Sequence, residues 1–468
     1  MKVKGLIFVI LFSMMMVSCK KAELPEEELS SKVVTDASDS TDNASKEPVI
    51  GDELNKDDED KSEESEVNGD NNEEEPEVNE DSHEEDSPKD KVLIDGYDIT
   101  ASVSGTPLKQ AYEDYFMIGV GLNGSSPDNA TVRSDAMSEI IKYHFNSVTY
   151  SNLMKPAYFL DQKGSIDNYN NGYGYPAVNF DMVIDGLEFC KENNIKMRGH
   201  VLVWHNQVPE WFFKVGYQND GELVDKETML TRLESYIQQV LTFMQDEYPG
   251  VIYAWDVVNE AVENSSGAYE TESGFNIRTK FDGTRDNLWY KVIGVDYVEK
   301  SFEYARKYAD SDVKLFYNDY NTFQVMKTLK IYELASHLKE KGLIDGIGMQ
   351  GYMNLTYPGI AGGNDSFMTA LLKFAELDLE IHLTELSISA PDKSEASMEE
   401  QAERYRNLFQ ILIGLDTASG LSANITSVTV FGLMDNYLFY TNDETNSRLF
   451  DKDLQPKPSF YSIMSVVE

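Results

Sequence analysis

Cysteine is nearly absent from this chain of 468 residues: the only two, Cys19 and Cys190, rule out a disulfide framework. Basic residues are scarce, 40 Lys and Arg against 82 Asp and Glu, and the formal net charge of −42 repels phosphate backbones, so nucleic acid is excluded as a partner. Histidine is limited to 6 positions, and no cluster of His, Cys and acidic residues has the spacing of a metal site; neither metal nor other cofactor is expected. A glycine-rich phosphate loop is missing after the first strand-like run, which removes the main sequence support for a nucleotide-binding fold. The N-terminal apolar run, Leu6 to Val17, is short for a membrane span.

What that run does have is the form of a secretory signal: lysines at 2 and 4, the apolar stretch, then Ser18 before Cys19. The end, Met16-Val17-Ser18-Cys19, resembles a bacterial lipoprotein cleavage box, with Met16 where leucine is more usual. This implies a signal peptide over residues 1–18 and a lipidated Cys19 that anchors a secreted protein to the membrane at the cell surface; ordinary secretion without an anchor is the alternative. Residues 19–91 read as a linker. Between 22 and 90 there are 28 Asp plus Glu against 5 Lys and few apolar side chains, too little burial to offset the entropy of ordering, so a disordered, self-repelling and extended spacer is expected. Cys190, in the apolar-periodic stretch LEFCKEN, reads as a reduced core residue, since no activating base is near it in sequence.

Residues 92–468 carry the core. From Tyr115, strand-like runs alternate with longer helical ones: YFMIGVG from Tyr115, FNSVTY from Phe145, IKMRGHVLVW from Ile195, IYAWDVVNE from Ile252, KLFYNDY from Lys314, GIGMQGY from Gly346, EIHLTEL from Glu380 and ITSVTVFGL from Ile425. Between them lie amphipathic stretches such as Lys226 to Tyr248, Leu288 to Tyr308, Val325 to Lys341 and Met398 to Leu415, with apolar residues recurring at three and four. Eight strand–helix repeats over roughly this length predict an α/β fold, a (β/α)8 TIM barrel, with an open doubly wound sheet as the alternative. Long loops rich in Asn, Gly and Tyr, for example DNYNNGYGYP after Ile166, suit a groove for a polymer or are plain insertions.

In such a barrel chemistry sits at the C-terminal strand ends. The fourth strand ends on Asn259 and Glu260, and the seventh, EIHLTEL over Glu380 to Leu386, is expected to end the same way on Glu385. Two carboxylic acids at facing strand ends are what acetal hydrolysis needs: one protonates the leaving oxygen, the other stabilises or captures the sugar cation. A separation of about 5 Å gives retention and about 6.5–9.5 Å gives inversion. Taken singly, each glutamate is equally well a solvated residue where a strand meets its loop.

Five motifs in order, GHVLVWHNQVPEWF from Gly199, WDVVNEA from Trp255, LFYNDYN from Leu315, GIGMQG from Gly346 and HLTEL from His382, resemble glycoside hydrolase family 10, the retaining endo-β-1,4-xylanases. The resemblance covers Leu108 to the C-terminus. It implies that Glu260 is the acid/base, Glu385 the nucleophile and Asn259 the residue that holds the sugar 2-hydroxyl. It further implies that Asn152 and Lys155, within SNLMKP, grip sugars on the non-reducing side with His205 and Gln350, and that xylan or a related β-linked polysaccharide is the partner of a monomeric enzyme. Trp211 and Tyr320 are candidates for stacking on sugars or for packing; Asn318, Asp319 and Asn321 are sugar ligands or turn-formers; His200 reads as a core histidine.

The departures are specific. Tyr352 stands where the family has histidine after MQG, and Ser387 where TEL is followed by aspartate. The expectation is a neutral support network in which Tyr352 donates to Glu385 and Ser387 takes part. Phe431 and Phe439 occupy the places of two tryptophans that wall the donor side in the family, and all four tryptophans, 204, 211, 255 and 289, lie upstream. Altered donor-side recognition follows. Two other readings stay open: a barrel hydrolase for another β-linked glycan, and a surface glycan-binding lipoprotein of weak turnover, which retention of both glutamates disfavours.

Overall fold

The computed structural model describes residues 91–468 apart from 125, 266, 418–422 and 436–445. The signal, Cys19, the acidic segment up to residue 90 and Phe439 lie outside the described residues.

Eight parallel strands close on themselves: β1 (Met117–Leu122), β2 (Ser147–Tyr150), β3 (Lys196–Gly199), β4 (Ile252–Asn259), β5 (Lys314–Asp319), β6 (Gly346–Met349), β7 (Glu380–Ser389) and β8 (Ile425–Val430). Each pairs with the next, and β8 pairs with β1 through Ser427↔Met117 to Val430↔Val120. The barrel expected from the strand–helix cadence is the fold, and the open sheet is not. The strands are buried on both faces, inside by the barrel filling and outside by helices, so β2 and β6 are covered at every residue. That is why they read as continuous apolar runs rather than alternating ones.

The helices obey their own period. In Lys226–Glu247 the buried residues Met229, Leu233, Tyr236, Ile237, Val240, Leu241 and Met244 form one stripe, and Asp225 caps the start by accepting from the Thr228 amide at 2.8 Å, a contribution of about 1 kcal/mol. The single helix expected over Leu288–Tyr308 is two, Leu288–Ile293 and Tyr297–Tyr308. Gly294 between them takes φ +88°, a left-handed conformation that ends a helix, and the apolar period continues across the break.

The middle of the barrel is filled by a polar cluster. Arg198 on β3 donates to Asp256 on β4 and lies 2.6 Å from His382 Nδ1 on β7, with its guanidinium 4.5 Å from the Phe316 ring centroid. His200 joins it, its Nδ1 2.9 Å from Asp256 Oδ2, and is the buried core histidine its sequence position suggested. Arg198 and Asp256 are both buried; such a pair persists because each charge is matched and hydrogen-bonded on several sides. Cys190 is buried and reduced, and burial pushes its thiol up, which removes nucleophilic character.

Candidate active site

The two glutamates stand at the same end of the barrel and are joined by amide side chains. Asn318, the last but one residue of β5, lies in register with Asn259 on β4. Its Nδ2 donates to Asn259 Oδ1 and to Glu385 Oε1, each at 3.0 Å. Thr384 Oγ1 donates to Asn318 Oδ1 at 2.6 Å and fixes which way that amide faces. Asn259 Nδ2 in turn donates to Glu260 Oε1 at 3.1 Å, and Gln350 Nε2 donates to the same oxygen at 2.8 Å. Glu260 and Glu385, 125 positions apart in the chain, are thus parts of one hydrogen-bonded line running from β4 through β5 to β7.

Glu260 sits just beyond the end of β4 with φ +55°, a left-handed conformation that costs a non-glycine residue about 1–2 kcal/mol. Three contacts hold it there: its amide donates to the Asn318 carbonyl at 2.9 Å, Arg278 Nε donates to its carbonyl at 3.1 Å, and Trp204 Nε1 donates to Oε2 at 2.9 Å. Strain kept in place by this many contacts is a mark of a functional position. Trp204 belongs to a short strand, Val203–Trp204, that extends the β3 edge and pairs Trp204 with Asn259.

Glu385 is buried, and Tyr352 Oη donates to its Oε2 at 2.6 Å. Burial pushes the Glu385 carboxyl above the usual carboxylate range; Glu260 and Asp256 act in the same direction, while His200 and the Tyr352 hydroxyl pull it down. The phenol is supplied by Tyr352–Asn354, a short strand paired with β7 so that Tyr352 lies beside Ser387. The expected donation from Tyr352 to Glu385 is present. The expected neutral network is not: the Ser387 hydroxyl accepts from Arg448 Nη1 at 2.6 Å, so a buried guanidinium has entered where the sequence suggested only hydroxyls. It fits because Gly432, at φ +119°, has no side chain; a Cβ there would lie 2.6 Å from Arg448 Nε. Phe431 is buried and meets the Tyr352 ring edge-on at 6.3 Å.

The non-reducing-side candidates form a second group. Lys155 Nζ donates to Asn152 Oδ1 at 3.1 Å and to Gln207 Oε1 at 2.6 Å, and lies 4.5 Å from the Trp204 ring centroid. Trp204 therefore links this group to Glu260. His205 packs edge-on against Trp204 and Phe281, with Nδ1 buried and lacking a hydrogen-bond partner among the described residues. Burial, reinforced by Arg278 and Lys327, pushes its pKa well below the usual histidine range, so the ring is neutral. Tyr320, at the end of β5, accepts from Arg278 Nη2 at 2.8 Å, and Lys327 Nζ stands 3.4 Å from its ring centroid. Beside it, burial pushes the Asp319 carboxyl up to about 6 despite Lys327 at 2.7 Å. Trp211 is partly buried and packs edge-on with Phe212 and Tyr217.

Four participants have roles that local sequence does not specify. Asn318, a sugar ligand or turn-former by sequence, is the bridge between the carboxylates; strand register with Asn259 is the signal that points to it. Trp204 and Gln207 lie inside the GHVLVWHNQVPEWF motif, which assigns them no role. Arg448 had no local signal, because its partner Ser387 is 61 residues away.

Residues 107–466 match the sequence model of glycosyl hydrolase family 10. The chain is 48% identical over 316 residues to a putative endo-1,4-beta-xylanase of Caldicellulosiruptor saccharolyticus, covering 66% of this chain and 96% of that protein. It is 41% identical over 361 residues to endo-1,4-beta-xylanase B of Butyrivibrio fibrisolvens, covering 76% of this chain but only about half, 52%, of the relative. Among solved structures, the CBM22-1–GH10 modules of a Clostridium thermocellum endo-1,4-beta-D-xylanase complexed with xylohexaose superpose with a TM-score of 0.68 at 34% identity, over 78% of this chain and 68% of that one. The intracellular xylanase of Thermoanaerobacterium saccharolyticum gives a TM-score of 0.63 at 31% identity, over 77% and 98%. With its closed barrel, its paired glutamates and a family match over most of its length, this chain belongs to glycosyl hydrolase family 10 and is a glycoside hydrolase.

Proposed function

We propose that the chain is a retaining endo-β-1,4-xylanase. The observation that carries the reading is the amide line from Glu260 through Gln350, Asn259 and Asn318 to Glu385, which holds an acid and a nucleophile to one cleft. Glu385 attacks the anomeric carbon while Glu260 gives its proton to the departing glycosidic oxygen, leaving a glycosyl ester on Glu385. Glu260, now a carboxylate, takes a proton from water; the hydroxide adds to the anomeric carbon and Glu385 leaves as carboxylate, so configuration is retained. Asn259 meets the 2-hydroxyl of the sugar at the cleavage point. Asn152, Lys155, His205 and Gln350 meet the sugars on the non-reducing side, and Trp211 and Tyr320 offer rings at the rim. Names of relatives that are endo-1,4-beta-xylanases support the substrate.

The donor side is altered. Tyr352, Phe431 and Phe439 replace a histidine and two tryptophans of the family pattern, so recognition two sugars from the cleavage point differs from that of a typical member. The same changes favour, as a second reading, a related β-linked glycan. Reducing ends released from a panel of linear and decorated xylans and β-glucans, with Glu385→Ala as control, decide between them; activity confined to glucans would end the xylanase reading.

The protein works at the cell surface, residues 1–18 serving as signal, Cys19 as lipid anchor, residues 19–91 as linker and residues 92–468 as a monomeric barrel. The sequence Val17-Ser18-Cys19 and the acidic composition support this. Cys19→Ser is expected to move the enzyme from the membrane fraction to the medium; an unchanged distribution would overturn the anchor.

A further inference from the structure

Three tyrosines lie within seven residues on the segment that follows β2, with 46%, 53% and 42% of their surface exposed: Tyr169 near the end of the helix Gln162–Asn170, and Tyr173 and Tyr175 on the loop after it. A large ring left in water normally packs down or is put to use. The backbone that carries Tyr173 and Tyr175 is held in place. Tyr173 donates its amide to the Asn168 carbonyl at 2.9 Å, and Tyr217 donates its hydroxyl to the Gly174 carbonyl at 2.9 Å, so the turn between Tyr173 and Tyr175 is pinned to the neighbouring loop. The two rings stand 5.4 Å apart between centroids with planes 31° from parallel, so they partly cover one another and present one shared apolar patch to solvent. Tyr169 lies over Gly216 of that neighbouring loop, where an added Cβ would be 3.4 Å from the ring.

We infer that Tyr173 and Tyr175, with Tyr169 beside them, form a second binding surface for a neutral β-linked pyranose chain, outside the catalytic cleft. The chemistry selects that ligand. From Ser165 to Pro176 the chain has no Lys or Arg, while Asp167, Asn168, Asn170 and Asn171 supply carbonyl, amide and carboxylate groups. The segment itself offers an anionic polymer no counter-charge, and the nearby Arg232, stacked on Tyr217, is buried; a pyranose finds a ring face for its C–H surface and polar groups for its equatorial hydroxyls. Rings already held in place lose little entropy on binding. The same β2-to-β3 segment begins with Asn152 and Lys155, and the neighbouring one runs from Gln207, bonded to Lys155, through Trp211 to Tyr217. One polymer can therefore meet both surfaces, and a chain held on the outer one is presented to the cleft.

This rests on the reading of the chain as a polysaccharide hydrolase, and its test separates the two. In a Glu385→Ala background, which leaves the polymer intact, retardation is measured in native gels containing soluble linear xylan or mixed-linkage β-glucan, with and without Tyr173→Ala and Tyr175→Ala. In the active enzyme the same pair is assayed on insoluble xylan and on xylotetraose. The expected result is an at least fivefold weaker retention and a similar loss on insoluble xylan, with xylotetraose hydrolysis within twofold of wild type. Equal retention of parent and variant on both polymers overturns the second surface, whatever the cleft hydrolyses. If the active enzyme fails on xylan, the substrate reading falls, yet loss of retention on the glucan gel still supports the tyrosine surface. Because the substitutions are on exposed side chains, melting temperatures should match; Tyr173→Ser with Tyr175→Ser repeats the test if they do not.

Discussion

Tyr352 donates its phenolic hydrogen to Oε2 of Glu385 at 2.6 Å, a neutral donor at a place where the family pattern has an imidazole. Glu385, the proposed nucleophile, thus has a neutral phenol as hydrogen-bond donor at that position.

Tyr352→Phe is expected to slow xylan hydrolysis and to move its acid limb. The hydroxyl lowers the Glu385 pKa against the effect of burial, so its loss raises the pKa further and shifts the acid side of the kcat/KM profile to higher pH. The second step also loses help, because Glu385 must depart as an anion. A hydrogen bond to a charged group contributes about 1.5–3 kcal/mol, which corresponds to a kcat lower by about 10- to 100-fold. A pH profile superimposable on wild type would remove Tyr352 from this role.

Glu260→Ala separates the two chemical steps. On xylan the variant should lose about 10²–10⁴-fold in rate, the usual worth of a general acid. A dinitrophenyl glycoside needs no protonation to leave, so it should still load Glu385, and the glycosyl-enzyme should accumulate until azide is added. Mass spectrometry of the intact protein reads that ester. Its absence would assign the acid to another residue.

Glu385→Gln should stabilise the fold at neutral pH. In the folded protein Glu385 holds its proton more tightly than in the unfolded chain, so wild type loses stability as pH rises through the interval between the two pKa values. Glutamine does not titrate, can accept from Asn318, and its amide can donate to the Tyr352 oxygen. The gain is expected to be about 0.5–2 kcal/mol at pH 7 and to vanish below about pH 4, where both forms of glutamate are protonated. Melting temperatures at the two pH values check it; a gain that is larger in acid would contradict the direction.

Arg198→Met should be among the more destabilising single changes in the barrel. It leaves Asp256 buried with His200 as its remaining partner, and breaking a buried pair costs about 3–5 kcal/mol. For a domain this large that lowers Tm by about 4–6 °C. A calorimetric scan showing no change would mean that Asp256 sheds its charge when the guanidinium goes.

How far the sequence reached can be followed residue by residue. The eight strands and most crossover helices were legible because burial imposes a period, and a period is a local property of a chain. The exception was local too: the break at Gly294 interrupts the backbone without interrupting the apolar stripe of Leu288–Tyr308, so the pattern hid it. Glu260 was legible because it follows a strand end, which has a fixed destination in a closed barrel, Glu385 because its motif lies on a strand of the same barrel that runs on to Ser389, and Tyr352 because it departs from a motif at a known place.

The sequence by itself determined the barrel, since strand–helix periodicity is a short-range pattern, and its resemblance to glycoside hydrolase family 10 singled out the two glutamates as candidates. Only the tertiary structure decided which neighbours each glutamate has. That Asn318 bridges the pair, that Arg448 and not a second hydroxyl meets Ser387, and that Trp204 reaches Glu260 depend on contacts between residues 56 to 67 positions apart. No local pattern records such contacts, because they come into being only when the sheet closes and sets the register of one strand end against the next.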